Sequence, residues 1–351
     1  MASKVYLVQA EGRDLAARNT ALGALLDKTG QDMVYKKDEI VPVKMTIGDS
    51  SCVHNIDAVS VKAIAVRIKA QGAKPFLFDT SVIYKGSRQN AVDHLVLAQD
   101  KGYGYSVTGS PFVVADGLLG QDGREYEIDA GHIKRVKVPS FVGMLDSLLV
   151  LSHATGHIFS GFAGAIKNVA MGMSCRATKQ VQHSSMKPQV SQDKCRACGC
   201  CIRICPAGAI SFDDKKRAHI EPGICIGCGE CLCACKFDAV YVNWEEDMDV
   251  FCARMDEVAH FILSKFKNKF FITFAFNITQ ECDCISTKDD RLISRDIGIL
   301  ASQDPLALDR ATTDLMSDDH GFLKEHTAYQ NMFAYAAKLG LGSLDYNLIK
   351  L

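Results

Sequence analysis

The rhythm of apolar and polar positions changes twice along the 351-residue chain. In the first half, short apolar runs alternate with stretches in which apolar residues recur every three or four positions. The runs at 4–8, 41–47, 75–78 and 147–151 predict strands. The 3.6-residue recurrence over 15–26, 61–71 and 90–98 predicts helices, the second stopping at Gly72. Residues 125–138 predict a β-hairpin turning at Ala130-Gly131. The last third resumes the alternation. It predicts a helix over 250–266, a strongly apolar strand over 269–276 and a strand at 297–300. A further helix follows over 305–315, with Asp304 as its N-cap. Strand alternating with helix predicts an α/β fold with a mostly parallel sheet and flanking helices.

Between these two parts the alternation fails and cysteine replaces it. Ten of the 15 Cys lie between Cys195 and Cys235, and the others are Cys52, Cys175, Cys252, Cys282 and Cys284. Ordinary buried thiols do not gather in this way. A disulfide scaffold would be a short chain with its cysteines spread along it. The spacing Cys195-x-x-Cys198-x-x-Cys201-x-x-x-Cys205-Pro206 is that of bacterial ferredoxins. It returns 30 residues later as Cys225-x-x-Cys228-x-x-Cys231-x-x-x-Cys235. Gly199 and Gly229, Ala209 and Ala239, and Ile210 and Val240 repeat with it. In two-cluster ferredoxins the fourth Cys of each run ligates the other cluster. One 4Fe–4S cluster is therefore expected on Cys195, Cys198, Cys201 and Cys235. The second is expected on Cys225, Cys228, Cys231 and Cys205. A zinc ribbon would leave too many cysteines unused. Cys200 and Cys233 are extra thiols, and Lys236 stands where the first run has Pro206. Short strands are expected after each run, at 209–212 and 239–242. The predicted organisation is an α/β part over 1–186, a ferredoxin-like module over 187–245, and a second α/β part over 246–351. The module thus reads as an insertion in an α/β host that its two flanks complete.

Charge narrows the function classes. There are 40 Lys+Arg against 41 Asp+Glu. That balance argues against a general nucleic-acid or membrane-surface binder. No run of about 18 apolar residues predicts a membrane span, and the first residues do not read as a signal peptide. Together with the expected thiolate-ligated clusters, this leads to a cytoplasmic, reducing setting as the expectation.

Ligands of open α/β sheets bind at the carboxyl ends of strands. Four predicted strands end in polar residues there. One runs into Gly48-Asp49-Ser-Ser-Cys52-Val-His54, and another into Asp79-Thr80-Ser81 and then Tyr84-Lys85-Gly86-Ser87-Arg88. The third is followed by Ser152-His153-Ala-Thr-Gly156-His157. The fourth is followed by Asn277-Ile-Thr-Gln-Glu-Cys282-Asp-Cys284. A shared crevice is the expectation. Cys282 and Cys284 would chelate a soft metal, as an additional metal centre, or form a redox pair. His153, His157 and His54 are candidate ligands or proton donors. Lys85, Arg88, Lys167 and Asn168 would hold a small anionic substrate, the last two at a glycine-rich helix start. That segment lacks the Walker and dinucleotide fingerprints.

Several strings together resemble a known family. They are Thr80-Ser-Val-Ile-Tyr-Lys-Gly-Ser-Arg-Gln-Asn-Ala-Val-Asp-His94, Ser152-His-Ala-Thr-Gly-His157 and Gly161-Phe-Ala-Gly-Ala-Ile-Lys-Asn-Val-Ala-Met-Gly172. Asn277-Ile-Thr-Gln-Glu-Cys-Asp-Cys284 and Asp296-Ile-Gly-Ile-Leu-Ala-Ser-Gln-Asp-Pro305-Leu-Ala-Leu-Asp309 complete the set. The chain resembles the domain of unknown function 362 family, in the form that carries a ferredoxin insert. Ala163 and Ala170 stand where glycines are expected. The resemblance implies an iron–sulfur protein of anaerobic or facultative microbes and supplies no reaction. Two functions then compete. One is an oxidoreductase whose clusters feed a metal or substrate site in the crevice. The other is a non-catalytic electron-transfer protein that docks a redox partner. Metal or cluster delivery through Cys282 and Cys284 is a third.

Overall fold

The computed structural model describes residues 2–11, 14–84, 86–183, 187–225, 229–242 and 248–351, with Cys233 described by its backbone alone. Lys85 and Cys228, expected to serve the substrate site and the second cluster, lie outside the described residues.

One eight-stranded sheet forms the body. Its strands are β1 (Ser3–Val8), β2 (Ile40–Met45), β3 (Lys74–Asp79), β4 (Phe112–Val114), β5 (Ser147–His153), β6 (Asn268–Ala275), β7 (Gly298–Ser302) and β8 (Tyr346–Lys350). The spatial order is β8-β1-β7-β6-β5-β2-β3-β4. Only the two pairings of β7 are antiparallel, and the rest of the sheet is parallel. The first α/β part supplies β1 to β5 and the second supplies β6 to β8, so the flanks of the cysteine-rich segment share one sheet.

Both faces of the sheet are covered. On β5, Leu149 and Leu151 pack with Leu22 and Leu25 of α1 (Leu15–Thr29) and with Val61 and Ile64 of α2 (Ala58–Ala70). Leu148 and Val150 point the other way. They join a core built from α4 (Ala165–Ala170), α6 (Met248–Ser264), α7 (Pro305–Leu315) and α8 (Ala328–Lys338). A strand buried on both faces must be apolar throughout, which is why 147–151 and 269–276 read as continuous apolar runs. α3 (Ala91–Asp100) begins at Asn90, whose side chain accepts from the backbone of Asp93. Asp304 caps α7 in the same manner. The hairpin is present as Arg124–Glu127 paired with Arg135–Val138.

The cysteine-rich module is built on two short helices, Cys200–Ile204 and Glu230–Ala234, preceded by Gly199 at φ 70° and Gly229 at φ 72°. That left-handed conformation is costly for a residue with a Cβ, so the repeated glycine has a geometric cause. Two small ladders close the module. Gln189–Val190 pairs with Val240–Tyr241, and Ile210–Phe212 with Ala218–Ile220. No helix among the described residues is long and apolar enough to cross a membrane.

Candidate functional site

β2, β3 and β4 succeed one another outward from β5, while β6 lies on its other side. The strand order therefore reverses between β5 and β2, the place where open α/β sheets form a crevice. A cavity of about 640 Å³ opens at the carboxyl ends of these strands. Arg88, His153, His157, Lys167, Asn168, Cys282 and Cys284 all reach its wall. His54, partly buried in the loop after β2, does not.

The floor is a buried ionic network. Lys44, within β2, places Nζ 3.0 Å from Asp79 Oδ1 at the end of β3, with both side chains buried. The same ammonium donates to the Met45 carbonyl and to Asn168 Oδ1, each at 2.8 Å. Arg88 reaches Asp79 at 3.3 Å and donates to the Tyr84 hydroxyl at 2.6 Å. Lys179, on α5 (Arg176–His183), donates to Thr80 Oγ1 at 2.7 Å. Burial alone would raise the Asp79 pKa. Lys44, Arg88, His94 and Lys179 outweigh it and bring the carboxyl to about 2. Burial pulls Lys179 down to about 8. Charges placed this deep persist only because each has a partner.

Above this floor lies the loop Cys282-Asp283-Cys284. The Cys282 thiol hydrogen-bonds the Cys284 sulfur. That bond, with the cations of Lys167 and Arg88, holds Cys284 well below the ordinary thiol range against the effect of burial. The same bond, followed by burial, pushes Cys282 well up. Lys167 hydrogen-bonds Cys282, and the nearby sulfurs raise its pKa against burial. The two sulfurs are thus pushed in opposite directions, with Lys167 beside both and Arg88 beside Cys284.

The two histidines do not serve the pair as ligands in this geometry. His153 Nδ1 lies 2.8 Å from Asp283 Oδ1, and its Nε2 lies 2.7 Å from the Phe276 carbonyl. A carbonyl only accepts, so Nε2 carries hydrogen. Asp283 is held ionised, chiefly by His153, against its burial. Burial disfavours the His153 charge, but Asp283 and the carbonyl outweigh it and the pKa rises. Both His153 nitrogens are thus engaged, and neither is turned to the thiol pair. His157 Nδ1 accepts from the backbone of Phe159 and Ser160 at 3.2 and 3.1 Å, which puts the proton of the neutral ring on Nε2. Burial, then Lys167 and His183, keeps that ring neutral. The i, i+4 spacing of the two histidines falls on β5 and the extended segment Thr155–His157, not on a helix. Asn168 does not offer its amide freely either. It accepts from Lys44 and donates to Leu151 and Ser152. Among the described residues, no three His, Cys, Asp or Glu side chains close on a single point as a protein-bound ion requires. A crevice metal would have two thiols as its donor set, and catalytic zinc, for comparison, takes three protein ligands.

The position of Lys167 depends on a residue that sequence reasoning quoted without assigning. Asp309 of α7 accepts from the backbone N–H of Ala165 at 2.7 Å and of Ile166 at 2.9 Å. It thereby caps α4, the helix that carries Lys167 and Asn168. Lys44, Asp79, Lys179 and Asp283 were also not singled out as site residues. The one local signal among them is a lysine inside the apolar run 41–47.

The cysteine-rich module forms one rim of the same cavity through Leu232, Asp238, Tyr241 and Val242. It is tied to the host by Arg176 and Glu230, 3.0 Å apart and both buried. The module also tests for fit with iron–sulfur clusters. A separate small pocket is lined by Cys195, Cys198, Cys201 and Cys235 together. These are the four thiols that the crossed ligation pattern assigns to one cluster. The Ala209 N–H donates to Cys205 Sγ at 3.3 Å, and the Ala239 N–H to Cys235 Sγ at 3.2 Å. The repeat thus extends to N–H···S bonds, the kind that stabilise cluster thiolates. Cys205 and Cys225 pack against the module's core. Cys200 accepts from Arg203 at 3.2 Å and is not on that pocket's wall.

An α/β host with a ferredoxin-like module set into it is thus the class of protein defined. Residues 41–314 match the family described as Domain of unknown function (DUF362), and the chain belongs to it. Shorter similarities have the length of the module. The chain is 46% identical over 52 residues to the indolepyruvate oxidoreductase subunit IorA of Pyrococcus abyssi, across 14% of this chain and 8% of that one. It is 34% identical over 73 residues to the pyruvate synthase subunit PorD of Methanothermobacter marburgensis, across 21% of this chain and 85% of that one. It is 35% identical over 48 residues to a ferredoxin of Mycobacterium bovis, across 14% of this chain and 40% of that one. The chain spans less than a tenth of IorA. These relatives support an iron–sulfur electron-transfer role.

Proposed function

We propose that the chain is an iron–sulfur oxidoreductase whose module, over 187–245, serves the crevice of the α/β host. One 4Fe–4S cluster belongs on Cys195, Cys198, Cys201 and Cys235, and a second on Cys225, Cys228, Cys231 and Cys205. Bound there, the clusters supply one-electron transfer. The observation that carries the reading is the shared wall: Leu232, Asp238, Tyr241 and Val242 of the module line the same cavity as Cys282, Cys284, Lys167 and Arg88. A pure carrier has no need of such a cavity.

The chain's own residues define what the crevice can do. Cys284 is the nucleophilic sulfur, held as thiolate by Cys282, Lys167 and Arg88. Cys282 is its protonated neighbour, and Lys167 is placed to give or take a proton at the Cys282 sulfur. His157 presents Nε2–H as a hydrogen-bond donor. His153 fixes Asp283, and so the loop between the two thiols. The substrate is small enough for the cavity and suits a thiolate set among cations, an environment that accepts an anionic or electrophilic group. An electron donor or acceptor protein is the expected partner.

The test is substitution with two readouts. Cys282→Ser and Cys284→Ser should each leave the visible absorbance of the clusters unchanged and abolish turnover. Retained turnover in both variants would return the protein to the non-catalytic carrier reading. Metal analysis of the anaerobically purified protein should find about eight iron per chain. Any further metal lost in Cys282→Ser would mark the thiol pair as a ligand site.

A further inference from the structure

The two halves of the module face different surroundings. Gly229, Glu230 and Leu232 of the second run meet the host at Gln180, Arg176 and the cavity. The first run faces solvent. Cys195, Cys201 and Cys235 are buried, but Cys198 is exposed. Beside it, on the wall of the same cysteine pocket, stand Phe212 and Phe237, 47% and 45% exposed. Aromatic side chains left this open on a well-packed module are unpartnered apolar surface.

Charge around that surface leans positive, although Asp193 and Asp214 are exposed there too. From Lys187 to Arg217 there are seven Lys or Arg and three Asp or Glu, in a chain that has 40 and 41 overall. Lys194, Arg196, Lys215 and Lys216 are exposed. One of the three acids, Asp213, is folded into its own turn, where it accepts the N–H of Lys215 and Arg217. The turn adjoins the first run directly, since the Ala218 N–H donates to Cys195 Sγ at 3.4 Å. An apolar centre with a charged rim suits a brief, electrostatically steered contact between redox proteins.

We infer that the face around Cys198, with Phe212 and Phe237 at its centre and Lys194, Arg196, Lys215 and Lys216 at its rim, docks an acidic one-electron carrier protein. The inference rests on the cluster assignment above and not on catalysis in the crevice. One electron leaves the carrier and enters the first cluster, and no bond is made or broken. The polarity of the module then has a direction, from the solvent-facing first run to the second run at the host.

The probe is a reduced flavodoxin of net negative charge, mixed with the oxidised holoprotein in a stopped-flow instrument. Steering predicts a wild-type second-order rate constant that falls about tenfold between low and physiological salt. K215E/K216E leaves the cluster-binding loops untouched, and K194E/R196E reverses the two cations that flank Cys195. Each should slow low-salt reduction at least about tenfold and flatten or invert the salt dependence. Calorimetric titration with oxidised flavodoxin should show the same loss of affinity. Reduction by the small methyl viologen radical cation should not slow in either variant. Wild-type rates in K215E/K216E, or no salt dependence in the wild type, would overturn the inference. So would a parallel loss with methyl viologen, which would mean damage to the cluster and not loss of docking. The two readings fail separately. Crevice turnover driven by methyl viologen reports on Cys282 and Cys284 whatever the flavodoxin result.

Discussion

At the scale of single residues, the crevice is held by pairings between side chains far apart in the chain. Asp309 is the clearest case, because its carboxylate caps a helix whose next residues are Lys167 and Asn168. It is a positioning residue, and its burial has a pH signature. Burial raises its pKa from 3.8 to about 7, against the two N–H groups that favour ionisation. In the unfolded chain the group releases its proton near pH 4, but in the folded chain only near pH 7. The unfolded state therefore binds fewer protons over this window, and stability should fall as pH rises through it, then level off. Asp256, buried near Asp309 and shifted upward chiefly by burial, acts in the same direction. Asp309→Asn should flatten the slope between about pH 4 and 7 in urea-unfolding series. It should also cost about 1 kcal/mol at the acidic end, because the amide nitrogen that replaces one carboxyl oxygen cannot accept an N–H. An unchanged slope would mean that Asp309 does not carry this proton.

At the scale of elements, the pattern of apolar residues located most of the sheet and little of what joins it. β5 and β6 are continuous apolar runs because both their faces are covered. β4 is only three residues long, and β8 is a half-exposed edge strand with polar alternation, so neither produces such a run. Helix α8 was likewise not anticipated. The cysteine motifs were legible because the spacing that binds a cluster is local. The partners of Lys44, Asp79, Lys179 and Asp283 lie on other strands and helices, and no local pattern reports such pairings. His153, expected as a ligand or proton donor, turns its nitrogens to Asp283 and a backbone carbonyl, and His157 turns Nδ1 to backbone. One pairing between elements decides how the module sits. Glu230, at the start of its helix, meets Arg176 at the start of α5, and both are buried. Breaking a buried pair by removing one partner costs about 3–5 kcal/mol, more than an exposed pair is worth. Glu230→Ala should therefore loosen the module from the host while the cluster absorbance persists. Hydrogen exchange should rise in 229–242 and in α5 and stay unchanged in β5 and β6. Equal protection in all of these segments would show that other contacts hold the module.

At the scale of the whole molecule, two unequal cores share one cavity. The sheet has an extensive apolar core on each face. Among the described residues, the module's core is Cys195, Cys201, Cys231 and Cys235 with five apolar residues, and Val190, Ile202 and Leu232 pack against it. So few apolar side chains cannot offset the chain entropy of a unit of roughly 50 residues, and such units depend on metal, disulfides or a partner for stability. Cluster removal should thus divide the molecule. After anaerobic chelation with a reductant that keeps the thiols free, the segments 189–225 and 229–242 should lose exchange protection. The eight-stranded sheet should keep its protection and melt in a separate transition. Because Leu232, Tyr241 and Val242 form part of the cavity wall, the crevice should open in the same step. Cys284, half-buried beside that wall, should then be alkylated faster by iodoacetamide. A single cooperative melt of the cluster-free protein would instead show that the host stabilises the module without its clusters. The cavity wall would then survive their loss, and the tie between cluster content and access to Cys284 would be broken.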